Sequence, residues 1–160
     1  WVPVGRIGSG ASPIITTLGM KFRTGYVFGD ASRFPLNRFW LGGTQYGEGL
    51  RGYEETEITP LGFFDRSSNA ITSASRLGNA FMTLTAEYAI RLNDNISVSA
   101  FSDAGNIWDR PGLIDPSRLY RSAGLGATVV TPFGPIGIDA AYGFDRPDPG
   151  WEIHFKLGNQ

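Results

Sequence analysis

Apolar and polar side chains alternate along six separate stretches of this chain, and a period of two is the repeat of a β-strand, whose successive side chains point to opposite faces. From about Pro13 to Gly29, Leu18, Met20, Phe22, Tyr26 and Phe28 share one parity, while Gly19, Lys21, Arg23 and Gly25 share the other. From Asn79 to Leu92, Met82, Leu84, Ala86, Tyr88 and Ile90 oppose Thr83, Thr85, Glu87 and Ala89. The turn-forming run Asn93-Asp94-Asn95 then leads into Ile96, Val98, Ala100 and Ala104, opposed by Ser97, Ser99, Phe101, Asp103 and Gly105. Arg121 to Thr131 alternates again, and beyond Pro132-Phe133-Gly134-Pro135 the apolar set Ile136, Ile138, Ala140, Tyr142 and Phe144 faces away from Gly137, Asp139, Ala141 and Gly143. A last strand sets Trp151, Ile153, Phe155 and Leu157 against Glu152, His154, Lys156 and Gly158.

The expected fold class is therefore all-β and antiparallel, which 22 Gly and 13% aromatic residues in 160 residues also favour. A net charge of −1 without a basic cluster excludes the electrostatic footprint of a nucleic-acid binder. The lack of Cys removes disulfides, thiolate catalysis and thiolate metal sites. No stretch approaches the ~18–20 consecutive apolar residues of a spanning helix, whereas barrel strands need only ~9–11 alternating residues. Short turns near Asn93 to Asn95 and Pro132 to Pro135 alternate with longer segments at Asp30 to Gly78, Trp108 to Tyr120 and Asp145 to Gly150. That rhythm fits an outer-membrane barrel, as do apolar faces ending in Tyr26, Tyr88, Trp108, Tyr142 or Trp151, at the level of an interfacial aromatic belt. A soluble sandwich is the alternative, since its strands alternate too. Bacterial barrels start at ~8 strands, so six are expected to be the C-terminal part of a larger barrel, or else to close by association with other chains. The start at Trp1, with neither initiator Met nor leader, is read in the same way.

Several motifs invite a chemical reading. Gly47-Glu48-Gly49-Leu50-Arg51-Gly52 matches the dinucleotide fingerprint in letters. Its context does not, because the fingerprint needs a buried strand before it and a helix after it, and here Gly42-Gly43-Thr44-Gln45 precedes while Pro60, Gly62 and a Ser/Asn stretch follow. Ser9, between Gly8 and Gly10, reads as a turn rather than a nucleophile. His154 reads as a polar residue facing a barrel lumen, and scattered carboxylates suggest no metal site. No enzyme activity and no cofactor are expected. Arg51 stands out instead. Its long loop carries Phe39-Trp40-Leu41 and Tyr53, unusual for a segment hanging in water, while Glu87 and Asp103 occupy the polar parity of later strands. A loop tucked inside a barrel would bring these charges together.

Arg38-Phe39-Trp40-Leu41-Gly42-Gly43-Thr44, Leu50-Arg51-Gly52-Tyr53 and Phe101-Ser102-Asp103-Ala104-Gly105-Asn106-Ile107-Trp108 closely resemble, in order and spacing, the C-terminal half of BamA-like outer-membrane assembly factors. Gly124 to Tyr142 and Trp151-Glu152-Ile153-His154-Phe155-Lys156-Leu157-Gly158 resemble that family's last strands. The resemblance implies a sixteen-stranded barrel of which residues 1–160 supply the last six strands. A long extracellular or lumenal loop would span about residues 30–78, and ten strands and periplasmic polypeptide-transport-associated (POTRA) domains would lie upstream. The family's loop motif is usually Val-Arg-Gly-Phe, and here it reads Leu50-Arg51-Gly52-Tyr53. Its arginine reaches acids on neighbouring strands, which map onto Glu87 and Asp103.

The implied function is folding and insertion of client barrels into the bacterial outer membrane. Arg51, Gly52, Tyr53, Glu87 and Asp103 would anchor the loop. The last strand, with Trp151, Ile153, Phe155, Leu157 and Gly158, would form one side of a lateral seam. Implied partners are the lipid bilayer, unfolded client outer-membrane proteins, the remaining strands and POTRA domains, and accessory assembly subunits. A polypeptide-secretion pore of the same superfamily is the alternative reading, and a passive porin a third. About five POTRA domains upstream would favour assembly, and two with a plug helix would favour secretion.

Overall fold

The alternation becomes one antiparallel sheet. The computed structural model describes residues 1–8, 13–29, 38–45, 47–64 and 76–158. In chain order the strands are β1 (Val2–Ile7), β2 (Ile14–Tyr26), β3 (Ile58–Thr59), β4 (Gly62–Phe63), β5 (Ala80–Arg91), β6 (Ile96–Trp108), β7 (Tyr120–Thr131), β8 (Gly134–Gly143) and β9 (Gly150–Leu157). Seven of them form a single sheet in the order β1-β2-β5-β6-β7-β8-β9, and β3 pairs with β4 as a small hairpin. A short 3-10 helix at Pro111–Leu113 interrupts the β6–β7 connection. The sheet does not close on itself, and β1 and β9 are its edges.

Six of the seven sheet strands are those that alternation marks, and the seventh, β1, is not foreseen. Its pairing with β2 shifts register between Pro3 and Gly5, and such an irregularity breaks the period of two on which the reading depends. Proline, lacking an N–H, is tolerated on an edge strand such as this one. Ser9 lies outside the described residues, as do residues 30–37, 46 and 65–75 of the long loop and its Ser/Asn stretch.

Local chemistry sets the short turns. Asn93 Oδ1 accepts from the N–H groups of Asn95 at 2.9 Å and Ile96 at 2.8 Å, reversing the chain between β5 and β6. Between β7 and β8, Thr131 Oγ1 donates to the Gly134 carbonyl at 2.7 Å, and Gly134 adopts φ +114°. That left-handed conformation is one that glycine reaches without steric cost.

Register then sorts the two faces. Lys21, Thr85, Asp103 and Ser122 stand opposite one another across four strands, Glu87 opposes both Gly19 and Phe101, and Asp139 opposes Gly126 and His154. All lie on one face. The other face carries Leu18, Met20, Phe22, Leu125, Ile138, Trp151, Ile153 and Phe155, every one exposed, Met20 by 81%. An apolar face this extensive fits lipid rather than water. The aromatic belt holds in part: Tyr26, Tyr88 and Trp151 are exposed and Tyr142 packs edge-on against Trp151 at 5.6 Å, but Trp108 is buried.

On the polar face sits the long β2–β5 loop, with an apolar cluster of its own. Leu41, Leu50, Tyr53 and Ile58 are wholly buried, packed with Phe81 and Ile107 from the sheet and flanked by Phe39, Phe63 and Tyr120. Burying a Leu or Ile side chain is worth ~1.5–3 kcal/mol, so this cluster outweighs any single polar contact in seating the loop. The fingerprint-like run 47–52 belongs to this fold: Leu41 bridges Glu48, and Gly43 bridges Leu50.

Candidate functional site

The loop doubles back on itself before it presents Arg51. Glu48 N–H donates to the Trp40 carbonyl at 3.0 Å, Leu50 N–H to Gly43 at 3.0 Å, and Gly43 N–H to Tyr53 at 2.8 Å. Glu55 Oε1 accepts from the N–H groups of Thr44 at 3.0 Å and Gln45 at 2.9 Å. Arg23 on β2 clasps Glu48 with both terminal nitrogens, at 2.9 and 3.1 Å. The Arg51 side chain thus leaves a backbone already fixed on both sides.

Arg51 is 8% exposed, and its guanidinium meets carboxylates from three strands. Arg51 Nε and Nη2 donate to Asp103 on β6 at 2.6 and 2.9 Å, the fork geometry that matches a planar guanidinium to a carboxylate. Nη1 reaches Glu87 on β5 at 3.2 Å and Asp139 on β8 at 3.4 Å. The guanidinium carbon lies 3.3 Å from the centroid of the Phe101 ring. A cation over an aromatic face is attracted to it, more so when desolvated. Lys156 on β9 completes the group, its Nζ 2.7 Å from Asp139. Two cations therefore face three carboxylates, Asp103 and Asp139 buried and Glu87 and Lys156 partly open to solvent. Burial works against the charge on Arg51, but the Asp103 hydrogen bond and the charges of Asp103, Glu87 and Asp139 more than offset it and hold its pKa above the ordinary arginine value.

The next two residues add contacts of different kinds. Gly52 has φ +86°, and a Cβ there would lie 2.9 Å from Ser122 Cβ and 3.1 Å from the Gly143 nitrogen, so both conformation and space favour glycine. Its N–H donates to His154 Nε2 on β9 at 3.0 Å, which requires the imidazole to be neutral there with its proton on Nδ1. Tyr53 Oη donates to the Arg121 carbonyl at 2.8 Å and accepts from Asp145 N–H at 3.3 Å. Burial above all pushes the Tyr53 hydroxyl up to about 12. Arg146, in the β8–β9 connection, joins Glu57 of the loop at 3.2 Å to Glu152 of β9 at 2.5 Å. Burial raises the Glu57 carboxyl above its usual range, and a hydrogen bond from Glu54 and the Arg146 charge oppose that rise.

Of the residues expected at the loop, Arg51, Glu87 and Asp103 meet directly, while Gly52 and Tyr53 touch the neighbouring strands β7 to β9 and the β8–β9 connection. Trp151, Ile153, Phe155 and Leu157 point the other way, into the exposed apolar face. Gly158 follows β9 with φ +84° and donates its N–H to the Pro135 carbonyl at 2.9 Å. Asp139, Phe101, Lys156 and the acceptor role of His154 were missed. Parity put all four on the polar face, but only the register between strands brings them to Arg51 and Gly52.

A sheet that is apolar on one side, polar on the other, and covered on its polar side by a loop held through buried charges is consistent with part of the wall of a membrane β-barrel. The family model for the Omp85 superfamily domain matches residues 7–160, and the chain belongs to that superfamily. Its members act in the outer membranes of bacteria or organelles, in protein assembly and secretion, and work with substrate proteins without enzymatic chemistry.

Proposed function

We propose that residues 1–160 form the C-terminal part of a bacterial outer-membrane barrel of the BamA-like kind, which folds and inserts client barrel proteins through a lateral seam. Upstream strands and POTRA domains complete the protein, and accessory subunits assist it. The loop of about residues 30–78 is pinned in the lumen by Arg51, Gly52 and Tyr53 against Glu87, Asp103 and the strands beside them. The carrying observation is β9, a strand at the sheet's edge with polar side chains toward the loop and Trp151, Ile153, Phe155 and Leu157 exposed on the opposite face. Backbone donors and acceptors along such an edge offer pairing to an incoming strand in a bilayer that offers none. Gly158, with no side chain to pack and a single bond to the Pro135 carbonyl, is a weak point at the strand's end.

The test is a disulfide between β9 and the first strand of the intact barrel, to which these residues contribute no competing Cys. The lock is expected to stop insertion of client barrels, and reduction to restore it. Normal insertion through a locked seam contradicts the reading. Export of an unfolded polypeptide through the locked barrel would establish a secretion pore instead.

A further inference from the structure

The three ionisable side chains that β9 turns toward the loop are Glu152, His154 and Lys156, and each ends in the loop's own network. His154 Nε2 accepts from the Gly52 N–H at 3.0 Å, with no residue between. Glu152 is one residue removed, through Arg146, from Glu57. Lys156 is one residue removed, through Asp139, from Arg51. The outward side chains of the same strand, Trp151, Ile153, Phe155 and Leu157, are all exposed. Within this sheet, β9 is thus held by its ladder to β8 and by ties into the loop, and the His154 tie is a direct one.

From this geometry we infer that His154 is a positioning residue that latches the last strand to the loop, so that β9 does not leave the wall unless the loop is released, and a released loop loosens β9. The chemistry of the tie is specific. Gly52 offers a buried N–H, and leaving such a donor without an acceptor costs more than the hydrogen bond itself contributes. The contact needs an acceptor at the reach of Nε2, a requirement that bulk and polarity alone do not meet. Gly52 cannot readily move to find another partner, because its positive φ and the close approach of Ser122 and Gly143 fix its backbone. One hydrogen bond therefore joins two elements that are 102 residues apart in sequence. The inference rests on the proposed seam for its biological meaning, but as a statement about mechanical coupling it stands on the contacts.

Two substitutions of equal polarity and different reach provide the test. In His154→Gln the amide oxygen extends about as far as Nε2, whereas in His154→Asn it stops near the position of Nδ1. Amide hydrogen exchange is followed on the intact barrel in lipid, in peptides covering residues 48–53 and 150–157. For His154→Asn both peptides are expected to exchange roughly tenfold faster, and for His154→Gln both should stay near the unsubstituted rate. Faster exchange of 48–53 with 150–157 unchanged would overturn the latch, leaving a contact that serves the loop alone. Equal acceleration by Gln and Asn would overturn it too, since reach would not matter. Should the Asn variant fail to assemble, the unsubstituted protein is followed at rising denaturant, and the latch predicts joint acceleration of 48–53 and 150–157. Acceleration of only one of that pair counts against it. Client insertion is measured on the same samples. Coupled exchange with insertion indifferent to a locked seam would sink the assembly reading and leave the latch standing, and uncoupled exchange with insertion blocked by the lock would do the reverse.

Discussion

Arg51 draws its hold from unequal partners. Asp103 is almost fully buried and engages the guanidinium through two bonds, whereas the Glu87 side chain remains 20% exposed and makes one contact at 3.2 Å. Taking away Asp103 removes the two short bonds and leaves Arg51 only its longer contacts to Glu87 and Asp139, so Asp103→Ala should destabilise the barrel by ~1.5–3 kcal/mol. Glu87→Ala is expected to cost ~1 kcal/mol or less, since solvent screens that pair. Denaturant unfolding of the reconstituted protein orders the two, and a larger loss for Glu87 would mean the bidentate pair is not the main contact. Arg51, Glu87 and Asp103 were legible in the sequence because a charge recurring at one parity among apolar neighbours demands a partner. Asp139 was not, since its parity is shared with glycine and alanine and only register distinguishes it. Phe101, an apolar residue on the polar parity, is the ring on which the guanidinium rests.

Among the elements, the connections hold the less obvious devices. The β8–β9 connection carries Asp145, which takes the Arg121 side chain at 3.0 and 2.8 Å and the Arg121 N–H at 2.8 Å. The side-chain bond from Arg121 chiefly holds the Asp145 carboxyl below its ordinary 3.8, against a smaller opposing effect of burial. With the folded value below the unfolded one, the folded state binds fewer protons over that interval, and stability rises with pH across it. The contribution is complete above the ordinary aspartate range, ~4, and is lost as pH falls through the lowered value. Asp145→Asn should therefore flatten the acid limb of a proteolysis-against-pH curve for this connection, and an unchanged limb would show that Asp145 does not set it. Six strands were readable from alternation alone. β1 was not, because its register shift between Pro3 and Gly5 spoils the period, and neither was the hairpin β3–β4, whose strands of two residues each are too short to show one. Trp108 shows the limit of parity at a strand end: assigned to the aromatic belt, it is buried.

At the level of the whole molecule, one sheet divides two environments. Its exposed face is mainly apolar, and its other face uses buried charges, a fixed glycine and an apolar cluster to seat a loop that reaches β2 and β5 to β9. The all-β architecture and the apolar face followed from local sequence. The convergence of five strands on one short loop segment did not, because it depends on which strands lie beside each other and at what stagger. Reversing the charge at the centre of that convergence tests the account most directly. In the full-length protein, Arg51→Glu would set a fourth carboxylate against Glu87, Asp103 and Asp139. Loop protease resistance and client insertion, measured on the same preparation, are expected to fall together, while resistance and insertion both at the unsubstituted level would contradict the pinned loop.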